Sequence, residues 1–185
     1  MQRYLFYIII VQLLLFSTSC QDDPKTTENF GTETVVSTYY FIRHAEKDRS
    51  DPENVDPELN QKGLGRAMHW AEILDDVSLD AIYTTDFERT TMTAAPTSVK
   101  NDITVTYYDP DEINVEQFKA DNLGRNVLVV GHSNSTPELV NAMIGEGKYS
   151  QIDDEDNGSL FIVQLVNDTA TSQVLHFDCN CPEER

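Results

Sequence analysis

Val35 to Glu46 reads VVSTYYFIRHAE. The run VVSTYYFI is rich in β-branched and aromatic residues, which describes a strand, and its apolar content predicts burial. An arginine and a histidine, Arg43 and His44, stand at its carboxyl end. The same arrangement recurs downstream. Val127 to Val130 (VLVV) is a continuous apolar run, read as a central parallel strand, and Gly131-His132 follows it. Ala81 to Thr84 reads as a short strand and Ile103 to Tyr108 as an alternating one. Helical patterns lie between them. Asn60 caps a predicted helix through Leu74, with Leu64, Met68 and Ala71 at helical spacing. Phe87 to Ser98 is helical, with Pro96 expected to end or kink it. Asn114 to Leu123 is a short helix closed by Gly124, and Pro137 to Ile144 ends at Gly145. Leu160 to Val166 and Gln173 to Phe177 form an expected closing hairpin that turns at Asn167-Asp168. This alternation predicts an α/β three-layer sandwich with a mostly parallel central sheet.

The chain has 185 residues, with 32 Asp and Glu against 13 Lys and Arg, a formal net charge of −19. That balance excludes a general nucleic-acid binder, which neutralises phosphates with many cations, and a polybasic membrane patch. Three cysteines are too few for a disulfide scaffold. No Gly-rich phosphate loop and no Cys/His cluster at zinc spacing occurs. The amino terminus reads as an address. Arg3 precedes an apolar run from Tyr4 to Phe16, then Ser17-Thr18-Ser19 and Cys20. A basic start, a short apolar stretch and small residues describe a secretory signal over residues 1–19, too short for a membrane span. Residues 20–33 are polar with Pro24 and Gly31, a tether, so the domain is expected over 34–185.

In parallel sheets ligands bind beyond the carboxyl ends of the strands. Three places qualify: Arg43-His44, Thr84 to Arg89, and Gly131-His132. In a cation-poor chain, two arginines and two histidines at those ends can converge on one pocket. Guanidiniums grip phosphate oxygens and stay charged, and a neutral imidazole carries a lone pair able to attack phosphorus.

The residues also resemble a known group. Arg43-His44-Ala45-Glu46 is similar to the Arg-His-Gly-Glu opening motif of the histidine phosphatase superfamily, the phosphoglycerate mutase-like group. Leu59 to Gly63 with Arg66-Ala67 resembles its Leu-Thr-x-x-Gly-x-x-Gln-Ala segment. Thr84 to Ala94 resembles its Ser-x-x-x-Arg-x-x-x-Thr-Ala helix, with Arg89 as the arginine, and Val129 to Ser133 its Val-Gly-His strand end. The resemblance implies a phosphoglycerate mutase-like fold and a phosphomonoester hydrolase with His44 as nucleophile. Arg43, Arg89 and His132 would hold the phosphoryl oxygens without metal or cofactor, and Asn134 would add an amide hydrogen bond. Glu112 is the acid candidate, with Asp109 and Asp111 as alternatives. Cys20, directly after small residues, resembles the lipid-attachment cysteine of bacterial lipoproteins. It implies an exported protein anchored by lipid to a bacterial membrane.

Other readings stay open on sequence alone. They are a mutase-type isomerase, a non-catalytic phosphate-binding lipoprotein, and a metal hydrolase built on His44, Glu46 and His132. The substrate is a phosphorylated small molecule or a phosphoprotein. Glu46 is read as a supporting hydrogen-bond partner, Lys47 and Arg49 as substrate guides or loop charges, and His176 as structural. Cys179 and Cys181 are a disulfide or a weak metal site. The run Asp153 to Asp156 (DDED) is read as a solvated loop.

Overall fold

The computed structural model describes residues 34–167 and 169–181. The signal, Cys20 and tether expectations therefore lie outside the described residues. Six strands make one sheet: β1 (Val36–Arg43), β2 (Ala81–Thr84), β3 (Thr106–Tyr107), β4 (Asn126–Gly131), β5 (Ser159–Val166) and β6 (Thr169–His176). Their spatial order is β3-β2-β4-β1-β5-β6. β3, β2, β4 and β1 run parallel; β5 and β6 form an antiparallel hairpin added beside β1. Four helices are described: α1 (Gln61–Ile73), α2 (Glu88–Asn101), α3 (Val115–Asp121) and α4 (Ser135–Ile144).

Successive strand residues face opposite sides of a sheet, so β1 feeds two cores. Tyr39 and Phe41 join Val127, Val129, Phe118, Leu139 and Met143 on the face covered by α3 and α4. Ile42 joins Leu128, Val130, Ile82, Trp70 and Leu74 on the other face, against α1 and α2. Helices on both faces of a mostly parallel sheet make the expected three-layer α/β fold.

Boundaries moved for local reasons. Asn60 caps α1 as expected, its side-chain oxygen accepting from the Gly63 N–H at 2.9 Å. Pro96 neither ends nor interrupts α2, which runs on to Asn101. The proline removes one backbone bond, while Thr90, Thr93, Ala94 and Thr97 stay buried along the helix. The strand expected over Ile103 to Tyr108 shrinks to Thr106–Tyr107 at the sheet edge, because Ile103 and Val105 turn inward to pack on the α1/α2 side. α4 starts two residues before Pro137, placing the proline in the first turn, where its missing N–H costs least. β6 starts at Thr169, earlier than the apolar residues suggest, because its backbone pairs with β5 as far as Val166↔Thr169.

Candidate active site

The strand registers assemble the site. Arg43, the last residue of β1, pairs with Gly131, the last of β4, and Thr84 at the end of β2 pairs with Val130. His44 and His132 therefore emerge side by side, their ring centroids 5.6 Å apart. The His44 N–H donates to the Gly131 carbonyl at 2.9 Å, tying the two strand ends together. Gly131 is glycine for want of space: an added Cβ would lie 2.7 Å from Thr136 Oγ1 and 3.0 Å from the Tyr108 hydroxyl.

His44 is buried, and its Nδ1 lies 2.7 Å from the Ala45 carbonyl oxygen. A nitrogen facing a carbonyl must carry the proton, so the Nε2 lone pair is free. Burial above all, then the Arg43, His132 and Arg89 charges, pushes the His44 pKa down to about 3, against an opposing pull from the Ala45 hydrogen bond. His132 Nε2 shares a 2.8 Å hydrogen bond with the Thr85 hydroxyl. Burial, followed by Arg89, Arg43 and Lys47, lowers its pKa to about 4. Both imidazoles are neutral at pH 7. Around them, Asn157 Nδ2 donates to the His44 carbonyl at 2.8 Å, and the Ala45 N–H donates to Thr93 Oγ1 at 2.9 Å.

Both guanidiniums are held from behind. Arg43 Nη1 donates to the carbonyls of Asp153 (2.8 Å), Asp154 (2.9 Å) and Asp156 (3.3 Å), and Nη2 to Asp154 Oδ1 at 2.7 Å. Asp153 to Asp156 is a loop with mostly exposed side chains, as expected, but its carbonyls turn inward because the buried Arg43 needs acceptors. Asp154 also pairs with Arg49 at 2.8 Å, and these two arginines hold its carboxyl down at about 2. Arg89 Nη1 pairs with Asp56 Oδ1 at 3.2 Å, and its guanidinium lies 4.2 Å from the Phe87 ring centre. The same Asp56 carboxylate accepts from the Glu88 N–H at the start of α2. Arg43 Nε and Arg89 Nε are buried with no acceptor among the described residues. Two unmet charged donors beside two neutral imidazoles describe a place for an anion's oxygens.

Two openings border this centre. A cavity of about 450 Å3 is lined by His44, Lys47, Arg49, Lys62 and Asp154, among others. A cleft of about 460 Å3 is lined by Thr85, Phe87, Tyr107, Asp109 and Asp111. Phe87 also meets the His132 ring edge-on at 5.1 Å. Asp109 and Asp111 therefore face a cleft beside His132, while Glu112, exposed, does not line it. Asn134 lies exposed at the start of α4 and makes no side-chain hydrogen bond among the described residues. Both Glu46 carboxylate oxygens accept from Arg66, at 2.8–3.0 Å. Arg66 thus occupies both Glu46 oxygens at the edge of the cavity that His44 lines, and no metal-holding group of three or more His, Cys, Asp or Glu occurs among the described residues. His176 is exposed, 3.5 Å from Asp156. Cys179 and Cys181 are joined as a disulfide.

Thr85, Asp56, Asp154 and Asn157 escaped the sequence reading. Each sits in a loop, and loops carry no periodicity. Only contacts with residues distant in sequence mark them: Asp56 and Asp154 with Arg89 and Arg43, Thr85 with His132, and Asn157 with the His44 carbonyl.

Residues 39–111 match the family model of the histidine phosphatase superfamily, branch 1. That segment carries Arg43, His44 and Arg89; His132 comes from outside it, through the β4 register. No curated protein matches the chain. The fold is shared with α-ribazole phosphatase from Shigella flexneri (TM-score 0.61, 18% identity, 76% of this chain and 96% of that one). It is shared too with a protein from Agrobacterium tumefaciens described as a phosphohistidine phosphatase, SixA (TM-score 0.57, 21% identity, 75% and 97%). A mycobacterial glucosyl-3-phosphoglycerate phosphatase also has it (TM-score 0.57, 14% identity, 78% and 100%). At these identities the likeness is one of fold. The segment that resembles the histidine phosphatase superfamily, 39–111, lies within a phosphoglycerate mutase-like α/β fold.

Proposed function

We propose that this chain is a phosphomonoester hydrolase that works through a phosphohistidine on His44, without a metal. The carrying observation is the His44 ring: Nδ1 is committed to the Ala45 carbonyl, so Nε2 faces the site with a free lone pair. Nε2 attacks phosphorus as the bond to the leaving oxygen breaks. Arg43 Nε, Arg89 Nε and His132 donate to the non-bridging oxygens, where charge is held in the transition state. Water then attacks the phosphohistidine, releasing inorganic phosphate and returning Nε2.

For the acid that protonates the leaving group we take Asp109 or Asp111 ahead of Glu112, a choice supported by their lining the cleft beside His132. Both are exposed. Good leaving groups, a phosphorylated nitrogen among them, are the expected fast substrates.

Hydrolysis of p-nitrophenyl phosphate in excess chelator tests this reading. Wild type is expected to turn over and His44→Ala to lose at least about a thousandfold. Activity that survives His44→Ala overturns it. We also propose export and lipid attachment at Cys20. Fatty-acid labelling that Cys20→Ala fails to abolish would contradict that.

A further inference from the structure

The phosphoryl centre opens on two sides, and the two openings are lined differently. The cavity beside His44 mixes Lys47, Arg49 and Lys62 with Asp154 and Glu155. The cleft of about 460 Å3 beside His132 carries two aromatic rings, Phe87 and Tyr107, and the carboxylates of Asp86, Asp109 and Asp111. No Lys, Arg or His lines it among the described residues. Rings of this size are highly buried on average, yet Tyr107 is 55% exposed and Phe87 38%.

Three acidic residues on an exposed loop say little alone. Asp109 Oδ1 already accepts the Asp111 N–H at 2.9 Å within the turn. The rings, and their place relative to the reacting atoms, say more. In phosphoryl transfer the attacking and leaving atoms lie roughly in line, on opposite sides of phosphorus. His44 lines the first opening and not the cleft, whereas Thr85, bonded to His132 Nε2, lines the cleft. The alcohol of a phosphomonoester attacked by His44 therefore departs into the cleft, whose volume is on the scale of small-molecule sites.

The Phe87 ring shows what this wall accepts, because the Arg89 guanidinium carbon already lies 4.2 Å from its centre. No cation lies over Tyr107 among the described residues. An aromatic face attracts a cation, and nearby carboxylates add to that attraction while repelling a second anionic group. We infer that this cleft is the leaving-group subsite and that it selects phosphomonoesters of amino alcohols, whose leaving alcohol carries an ammonium, over those of uncharged or anionic alcohols. The inference rests on the phosphatase reading for the direction in which the alcohol leaves. The bond from phosphorus to the alcohol oxygen breaks as the bond to His44 Nε2 forms. The alcohol takes its proton from Asp109 or Asp111, and the hydrolytic water returns a proton to that carboxylate.

The test compares choline phosphate with neohexyl phosphate, its uncharged isostere, so that one charge is the difference. Wild type is expected to favour the choline ester in kcat/KM by about threefold or more at low salt, with the preference shrinking as salt rises. Tyr107→Leu and Asp86→Asn should each cut that ratio by about half or more, whatever they do to the rate itself. Calorimetric binding of the two esters to His44→Ala reads the same preference without turnover. Equal or reversed preference in wild type and in His44→Ala overturns the inference. So does a ratio unmoved in both cleft variants, Asp86→Asn deciding alone if Tyr107→Leu fails to fold. A lysine-flanked phosphoserine peptide taken in preference to choline phosphate overturns the small-molecule class. Wild type that hydrolyses neither ester, with the binding preference intact, contradicts the hydrolase and leaves the selectivity standing.

Discussion

His44 and His132 are held neutral far below the ordinary imidazole range, and that has two consequences at the scale of the residue. The first concerns catalysis. With His44 protonating only near pH 3, its lone pair is present throughout the mildly acidic range. The acid limb of kcat/KM should therefore follow the substrate's second phosphate ionisation, near pH ~6, and move when a substrate of different phosphate pKa is used. A limb fixed near 6.5 for every substrate would show an ordinary histidine instead. The second concerns stability. Both folded pKa values lie below the unfolded value of 6.5, so the unfolded chain binds protons first as pH falls. Stability should decline from about pH 6.5 toward about 4 and 3, and His44→Gln should flatten that decline. A decline equally steep in wild type and variant would contradict the assigned environment. Asp154 gives a third test. Removing its charge in Asp154→Asn takes away a competitor for Arg43 and a support for its orientation at once. Phosphate inhibition should tighten while kcat falls about three- to tenfold; both constants moving the same way would count against the clamp.

At the scale of elements, legibility followed periodicity and burial. β1 and β4 were readable because strands buried on both faces are apolar throughout, and α1 because Asn60 caps it; its expected apolar stripe was misplaced, since Leu64 and Met68 are exposed and Gly63, Ala67, Trp70 and Ala71 face the core. β3 was overread, since Ile103 and Val105 are apolar for packing as loop, not for pairing. α2 was underread at Pro96, because the packing of its buried threonines lies outside any local rule. Within the site, the four charged or imidazole side chains at strand ends were visible, and the loops that orient them were not. Asp154 reaches Arg43 across 111 positions, and no local pattern announces such a pair. The first turn of α1 is the element most exposed to test. A Cβ on Gly63 would sit 2.0 Å from the Glu46 carbonyl oxygen, so helix and motif loop touch backbone to backbone. Gly63→Ala should destabilise by about 1–3 kcal/mol or more and, by displacing Glu46, cost activity beyond the loss of folded protein. A variant as stable and active as wild type would show that α1 does not seat the motif.

At the scale of the whole molecule, a chain of net charge −19 is built to take an anionic group into one small cationic centre. Within about 8 Å, the screening length at physiological salt, the local cations dominate; beyond it the acidic surface repels. For a slow-binding anionic substrate, kcat/KM should rise modestly with added salt. A steep fall would instead mean that the cationic centre steers encounter from a distance. The central claim is covalent, and trapping the intermediate tests it most directly. Wild-type protein in chelator would be mixed with a ³²P-labelled phosphomonoester, quenched within the first turnover, and digested. The account predicts an acid-labile, alkali-stable label on the peptide that carries His44, absent from His44→Ala. Steady turnover with no labelled protein, or label on any other residue, would contradict it.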